Sequence, residues 1–281
     1  MTRLLIALAA GSLACSRAPQ ALLTPSEVRA ARADKLPSTP DDPAWQRAPV
    51  HAALMLPQDV VEPRVLAPST AAVDAQALTD GKTIAFRLAW AAPQRSDKVL
   101  PSAFSDACAV QLAAAPGAEA PNPMMGDAVR PVEIAYWRAA WQAEVDGRPH
   151  TLAALYPQAK VDHYPFEAAS LAPGSPEQKA MAVRFAPALA VGNPMAVPRE
   201  RPVQDLVANG AGTLRNAEKA ISIGVGKPTA TGWAVVISRP LPAGVARRTQ
   251  VAFAVWQGAK GEVGGRKMRT GWIPLSLEEK P

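Results

Sequence analysis

Two adjacent methionines, Met124 and Met125, occupy the loop Asn122-Pro-Met-Met-Gly-Asp127, just ahead of an aromatic-rich run from Val132 to Trp141. A thioether either fills irregular gaps under a loop or acts as a soft ligand to a centre such as haem iron, where it favours the reduced state. Residue type alone leaves both readings open. The second candidate donor is Lys219, which heads the run Lys219-Ala-Ile-Ser-Ile-Gly-Val225. Alternation along a strand puts Lys219, Ile221, Ile223 and Val225 on one face. A lysine there either snorkels its ammonium to water or is buried as a neutral amine whose lone pair is free for iron. Lys227 shares that face just before Pro228 and is the reserve for Lys219, as Met124 is for Met125.

Other chemistry is poorly provided for. His51, His150 and His163 are scattered and lack zinc-ligand spacing. No Gly-x-Ser-x-Gly elbow and no Gly-x-x-x-x-Gly-Lys-Ser/Thr phosphate loop occurs. Asp41 and Asp42 are neighbours in a turn-rich stretch, and Asp162-His163-Tyr164 comes with no clear nucleophile. The chain has 2 cysteines, Cys15 and Cys108, so it carries neither a Cys-x-x-Cys-His haem attachment nor a four-cysteine cluster motif. Nothing here is built to transform a substrate, and the chain reads as a non-enzyme.

The elements that must position these residues read as strands. Ile84, Phe86, Leu88 and Trp90 alternate along 83–90, and Cys108, Val110 and Leu112 along 107–112. Val132–Trp141, Trp233–Arg239, Gln250–Gln257 and Thr270–Leu277 repeat the pattern, and 52–56 begins it. No helices of crossover length separate the strands, so the sequence predicts an all-β fold, an antiparallel β-sandwich with short helices. Proline is abundant at 29 residues, which argues against a helical bundle. Eight prolines crowd 143–201, a loop-rich, proline-rich excursion expected to face a partner or the mouth of a site. Its piece 177–185 is readable as helix or strand. Thr24-Pro-Ser-Glu27 reads as a capping box opening a short helix through about Arg32.

Arg3 followed by the apolar run 4–14 reads as an export signal, too short for a bilayer span of about 20 residues. The expected division is a signal peptide at 1–14, an N-terminal extension at 15–44 and a β-sandwich domain at 45–281. Cys15 opens the alternative of a lipid anchor, although Ser12 stands where a lipobox prefers leucine. The net charge of +6 comes without a dense Lys/Arg run, which suits docking to an acidic partner and excludes a recognisable nucleic-acid module.

A set of short motifs runs through nearly all of the chain after the leader. They are Asp41-Asp-Pro-Ala-Trp45, Asp80-Gly81 leading to Phe86-Arg-Leu-Ala-Trp90, Phe104-Ser-Asp-Ala107, Met125-Gly126 with Arg130-Pro131, and Asp162-His-Tyr-Pro165. Gly192-Asn-Pro194, Gly212-Thr-Leu214, Val251-Ala-Phe-Ala-Val-Trp-Gln-Gly258 and Gly265-Arg-Lys267 follow. In order and spacing they resemble the haem b-binding gamma subunits of periplasmic molybdenum oxidoreductases, of the ethylbenzene and dimethyl sulfide dehydrogenase, chlorate and selenate reductase and nitrite oxidoreductase type.

The resemblance implies one non-covalent haem b with a Met/Lys axial pair, here Met125, which precedes Gly126, and Lys219. It implies a periplasmic electron-transfer subunit partnered by a molybdopterin catalytic subunit and an iron–sulfur subunit. Electrons would pass between that iron–sulfur subunit and a soluble cytochrome c or a quinone-linked acceptor. Ala91-Ala92 after Trp90, and the alanine in Gly210-Ala-Gly212, depart from the family pattern. Two competing readings stand beside it: a non-haem ligand- or carbohydrate-binding β-sandwich lipoprotein, and a stand-alone haem b protein.

Overall fold

The computed structural model describes residues 26–278 apart from 102, 116, 118, 161–169, 192, 194, 195 and 246. The leader at 1–14, Cys15 and the Asp162–Pro165 motif therefore lie outside the described residues. Thirteen strands form one sheet. In chain order they are β1 (Val28–Arg32), β2 (His51–Leu54), β3 (Ala72–Thr79), β4 (Thr83–Ala91), β5 (Ala107–Ala113), β6 (Val132–Arg138) and β7 (Val203–Ala208). The short β8 (Arg215–Asn216), β9 (Ile223–Pro228), β10 (Gly232–Pro240), β11 (Arg248–Trp256), β12 (Met268–Arg269) and β13 (Ile273–Leu277) complete them. Helices are short: α1 (Ala139–Val145), α2 (Leu152–Leu155), α3 (Pro176–Phe185) and α4 (Pro187–Ala190). The chain is all-β, as its alternating runs predict.

Hydrogen-bonded neighbours run β8-β7-β6-β5-β11-β13-β1-β3-β4-β10-β9, with β12 on β11 and β2 on β3. One correction concerns β1. The expected helix through Arg32 is a strand, and it pairs parallel with both β13 and β3. The sheet is thus mixed, and its two antiparallel halves are joined through β1. Val28 and Ala30 are fully buried there, so tertiary context overrides the helical preference of the alanines. Residues assigned to the N-terminal extension consequently contribute a strand near the middle of the sheet.

The halves fold over on one another. Phe86 of β4 meets Phe253 of β11 edge to face at 6.0 Å between ring centroids, and Trp137 of β6 meets Trp233 of β10 at 5.3 Å. Trp90 joins the same group at 6.3 Å from Trp137. Each such side chain contributes about 1.5–3 kcal/mol by burial, and edge-to-face contact adds to it. A second correction falls on the run after Val132, which leaves the sheet at Arg138. Trp141 belongs to helix α1, whose amide Ala140 N–H is received by Ser105 Oγ at 2.9 Å.

The proline-rich excursion carries α2, α3 and α4. Helix α3 has Ser175 as its N-cap, receiving Gln178 N–H, and it has no buried residue. Among the described residues no helix is long and apolar enough to cross a membrane.

Candidate functional site

Strand alternation gives β5, β6, β7 and β11 two faces. Cys108, Val110, Ala135, Trp137, Val251, Phe253 and Val255 point into the core between the halves. The opposite face carries a separate apolar cluster of Ala107, Ala109, Val132, Ile134, Ala208, Ala254 and Trp256. Met125, Tyr136, Leu206 and Trp272 pack against that second cluster. The candidate thioether therefore lies on the outer side of the sheet, half-buried.

Local hydrogen bonds fix it there. Asn122 receives Gly126 N–H on its carbonyl and Met124 N–H on its side chain, both at 2.8 Å. Asp127 closes the turn by accepting Arg130 N–H at 3.0 Å. Burial tends to raise the Asp127 carboxyl, but the N–H groups of Asn122, Arg130 and Val129 and the Arg130 charge hold it below the usual range. Met125 itself adopts φ 72°, and it is the sole non-glycine with positive φ among the described residues. That conformation costs an L-residue about 1–2 kcal/mol. Gly126 follows at φ 79°, where a Cβ would stand 2.8 Å from the Arg130 carbonyl and 3.0 Å from that of Ala208. The loop thus lies directly on the C-terminal end of β7, and Gly210 N–H donates to the Met125 carbonyl at 2.8 Å. Met124, the reserve donor, is 40% exposed.

Lys219 stands at the other end of β7. The strand expected over 219–225 begins only at Ile223, and its register is the reverse of the expected one: Gly224 and Gly226 face inward while Ile223 is exposed. The cause is the opposing half. A Cβ on Gly226 would fall 2.2 Å from the Trp137 ring, and one on Gly224 would fall 2.3 Å from Val203. Only glycine fits. Lys219 lies in the connection between β8 and β9, exposed rather than buried. Lys227 also faces outward and pairs with Asp41 at 2.6 Å.

Asp205, which the sequence reading passed over, positions the Lys219 segment. Its carboxylate accepts Ile221 N–H at 2.8 Å, Ser222 N–H at 2.9 Å and the Ser222 hydroxyl. Its carbonyl accepts Ala217 N–H at 2.9 Å. Lys219 then lines a groove of about 640 Å³ with Arg199, Glu200, Arg201, Gln204 and Asn216 among others, a size common for small-molecule sites. Met125 is not among its lining residues. From Gln204 to Ala208 the strand advances about 13 Å at ~3.3 Å per residue, so the two donors bracket the outer edge of β7 without touching.

The same outer face ends in an aromatic group. Tyr136 contacts Trp141 at 5.4 Å and Trp256 at 5.2 Å, both edge to face. Burial raises the Tyr136 phenol. Arg199 stacks 4.0 Å above Trp141, and Lys267 lies 5.7 Å from the Trp256 ring centroid. Burial, with some help from the Arg269 charge, pushes the Lys267 amine down. That lysine belongs to the Gly265-Arg-Lys267 motif, but its desolvation was not legible because it depends on Trp256 folding over it.

No protein-family model matches the chain, and no curated protein matches it. A thioether on the apolar outer face and an exposed amine in the groove at the other end of β7 are donor types that haem iron accepts. Among the described residues no cluster of three or more His, Cys, Asp or Glu offers a harder metal site. His51 lies on β2 in the other half of the sheet, His150 pairs with Glu144 at 3.2 Å, whose other oxygen accepts Arg199 N–H at 3.1 Å, and His163 is outside the described residues.

Proposed function

We propose that this chain is a periplasmic electron-transfer subunit that holds one non-covalent haem b on the outer face of β5, β6 and β7. The observation that carries the reading is the placement of Met125 and Lys219 at opposite ends of β7, with a half-buried thioether turned onto an apolar face. A haem bound there supplies one-electron exchange at its iron. The protein's part is to hold it: Met125 from a loop pinned to Gly210, and Lys219 from a segment pinned to Asp205. An amine ligates only as the free base, so haem retention should weaken in acid.

The motif resemblance supports the wider setting: a molybdopterin catalytic subunit and an iron–sulfur subunit as partners, with a soluble cytochrome c or quinone-linked route beyond. The run 4–14 supports export, with Cys15 as the point of cleavage and of any lipid anchor. Mass spectrometry of the mature N-terminus tests that part, and an intact Met1 on cytoplasmic protein contradicts it.

A second assignment of the amine has its own support. Lys267 is desolvated on the same outer face, and burial lowers an amine toward the neutral form that iron requires. A visible spectrum of protein purified with haem available, repeated on the lysine variants, decides between Lys219 and Lys267.

A further inference from the structure

Strand β1 joins the two halves of the sheet, yet its hold there is mostly backbone pairing. Val28, Arg29 and Ala30 lie beside Leu275, Ser276 and Leu277 of β13, and Ala30, Ala31 and Arg32 lie beside Ala77, Leu78 and Thr79 of β3. Its buried side chains are one valine and two alanines, Val28, Ala30 and Ala31, which remove far less apolar area from water than Phe86 of β4 or Ile237 of β10. Strand β10, by contrast, pairs with β4 along its whole length, Gly232 to Pro240, and with β9 on its other edge. The slot that receives β1 is held without it, β13 by β11 and β3 by β4. The chain is anchored again soon after β1. Leu36 packs against the cluster around Trp45, Arg87 Nε–H donates to the Pro40 carbonyl at 2.9 Å, and Gln76 Nε2–H donates to the Trp45 and Ala48 carbonyls at 2.8 Å each. Between strand and anchor the chain bends at Asp34 and Lys35, both exposed. A terminal element on a short hinge is the arrangement that invites exchange between copies.

We infer that β1 is an exchangeable strand, and that the partner it fits is the slot between β13 and β3 of a second copy of this chain. The bend at Asp34 and Lys35 straightens, the segment anchored through Pro40, Trp45 and Ala48 stays in place, and each copy lends its β1 to the other in a two-fold dimer. Exchange repeats every pairing of the monomer and needs no new complementary surface, so protein concentration decides between the two forms. The inference stands apart from the haem reading, because β1 contributes no proposed ligand.

Two full-length chains test this, one carrying Arg29→Cys and the other Ser276→Cys, each with Cys15→Ser so that the remaining native thiol is the buried Cys108. Residues 29 and 276 are register partners on β1 and β13. The two chains are mixed, taken briefly through mild urea, returned to buffer and treated with a short bis-maleimide. A dimer linked between residue 29 of one chain and residue 276 of the other should form, in a yield that rises with protein concentration. A single chain with both substitutions, kept dilute, should link within a monomer. Inserting a Gly-Ser pair after Asp34 should lower the dimer yield severalfold, because a longer hinge lets β1 fold back into its own slot. A mixture that stays unlinked while the dilute double variant links within itself overturns the inference. A dimer linked only between like positions, or a yield independent of concentration, overturns it as well. A dilute double variant that does not link overturns the pairing of β1 with β13 and the inference with it.

Discussion

The carboxylate of Asp205 receives the backbone N–H of Ser222 at 2.9 Å, so a buried side chain of β7 anchors the connection that carries Lys219. Asp205→Ala leaves the Ile221 and Ser222 amides without their acceptor, at a cost of about 1–3 kcal/mol for each buried group left unmet. Urea unfolding should show the loss. Haem affinity should fall with it, whereas Asp205→Asn, which keeps one acceptor oxygen, should retain an intermediate affinity. Unchanged haem binding in Asp205→Ala would mean that this anchor does not position a ligand.

Met125 holds a backbone conformation that glycine adopts freely. Met125→Ala and Met125→Gly both remove the thioether, but only glycine relieves the strain. The haem-free glycine variant should be more stable than the alanine variant by about 1 kcal/mol, read from urea midpoints. The opposite order would show that the loop relaxes once the long side chain is gone.

Gly226 lies flat against Trp137, and Gln142 Oε1 accepts both the Trp137 indole N–H at 3.1 Å and the Gly226 N–H at 2.9 Å. Gly226→Ala would force the indole or β9 outward. Overpacking of this kind costs about 1–3 kcal/mol. Near-ultraviolet circular dichroism should change as well, because Trp137 touches Trp90 and Trp233. A variant with wild-type stability would contradict the register of β9.

Asp106 is fully buried and accepts Ser96 N–H at 2.8 Å, Trp233 Nε1–H at 2.8 Å and Gly258 N–H at 2.7 Å. Burial raises its carboxyl, and these donors only partly offset the effect. Glu262 is raised by burial in the same way. A raised folded-state value means that the native protein binds the proton more readily than the unfolded chain. The corresponding stability is complete below the ordinary carboxylate range, about pH 4, and is lost as pH rises through the raised values. Asp106→Asn should flatten that decline in urea unfolding as pH rises above about 4, from a lower starting stability because an amide meets the three donors less well. An unaltered slope would place the titration elsewhere.

The strands that carry most of the core were legible because each buries one face. Phe86 and Leu88, Cys108 and Val110, Val235 and Ile237, and Phe253 and Val255 all keep the alternation that their sequence shows. Strand β1 was not legible, because Val28-Arg-Ala-Ala-Arg32 has helical composition and becomes a strand only between β13 and β3. The Lys219 run misled for a related reason. Its isoleucines look like core residues, yet the opposing Trp137 and Val203 leave room only for Gly226 and Gly224. At the site, the Met125-Gly126 loop stood out as sequence. The left-handed turn at Met125, the anchoring by Asp205 and the desolvation of Lys267 depend on residues far apart in the chain.

The most direct test of the central claim is the visible spectrum and reduction potential of the haem-loaded protein, measured for wild type, Met125→Ala, Lys219→Ala, Lys267→Ala and Lys227→Ala. The account predicts a six-coordinate b-type spectrum for wild type, an altered spectrum and lowered potential for Met125→Ala, an altered spectrum for Lys219→Ala, and no change for Lys227→Ala. A change on Lys267→Ala with none on Lys219→Ala would transfer the amine ligand to Lys267. A wild-type spectrum and potential in Met125→Ala and in both Lys219→Ala and Lys267→Ala, or a protein that takes up no haem at all, would contradict the account.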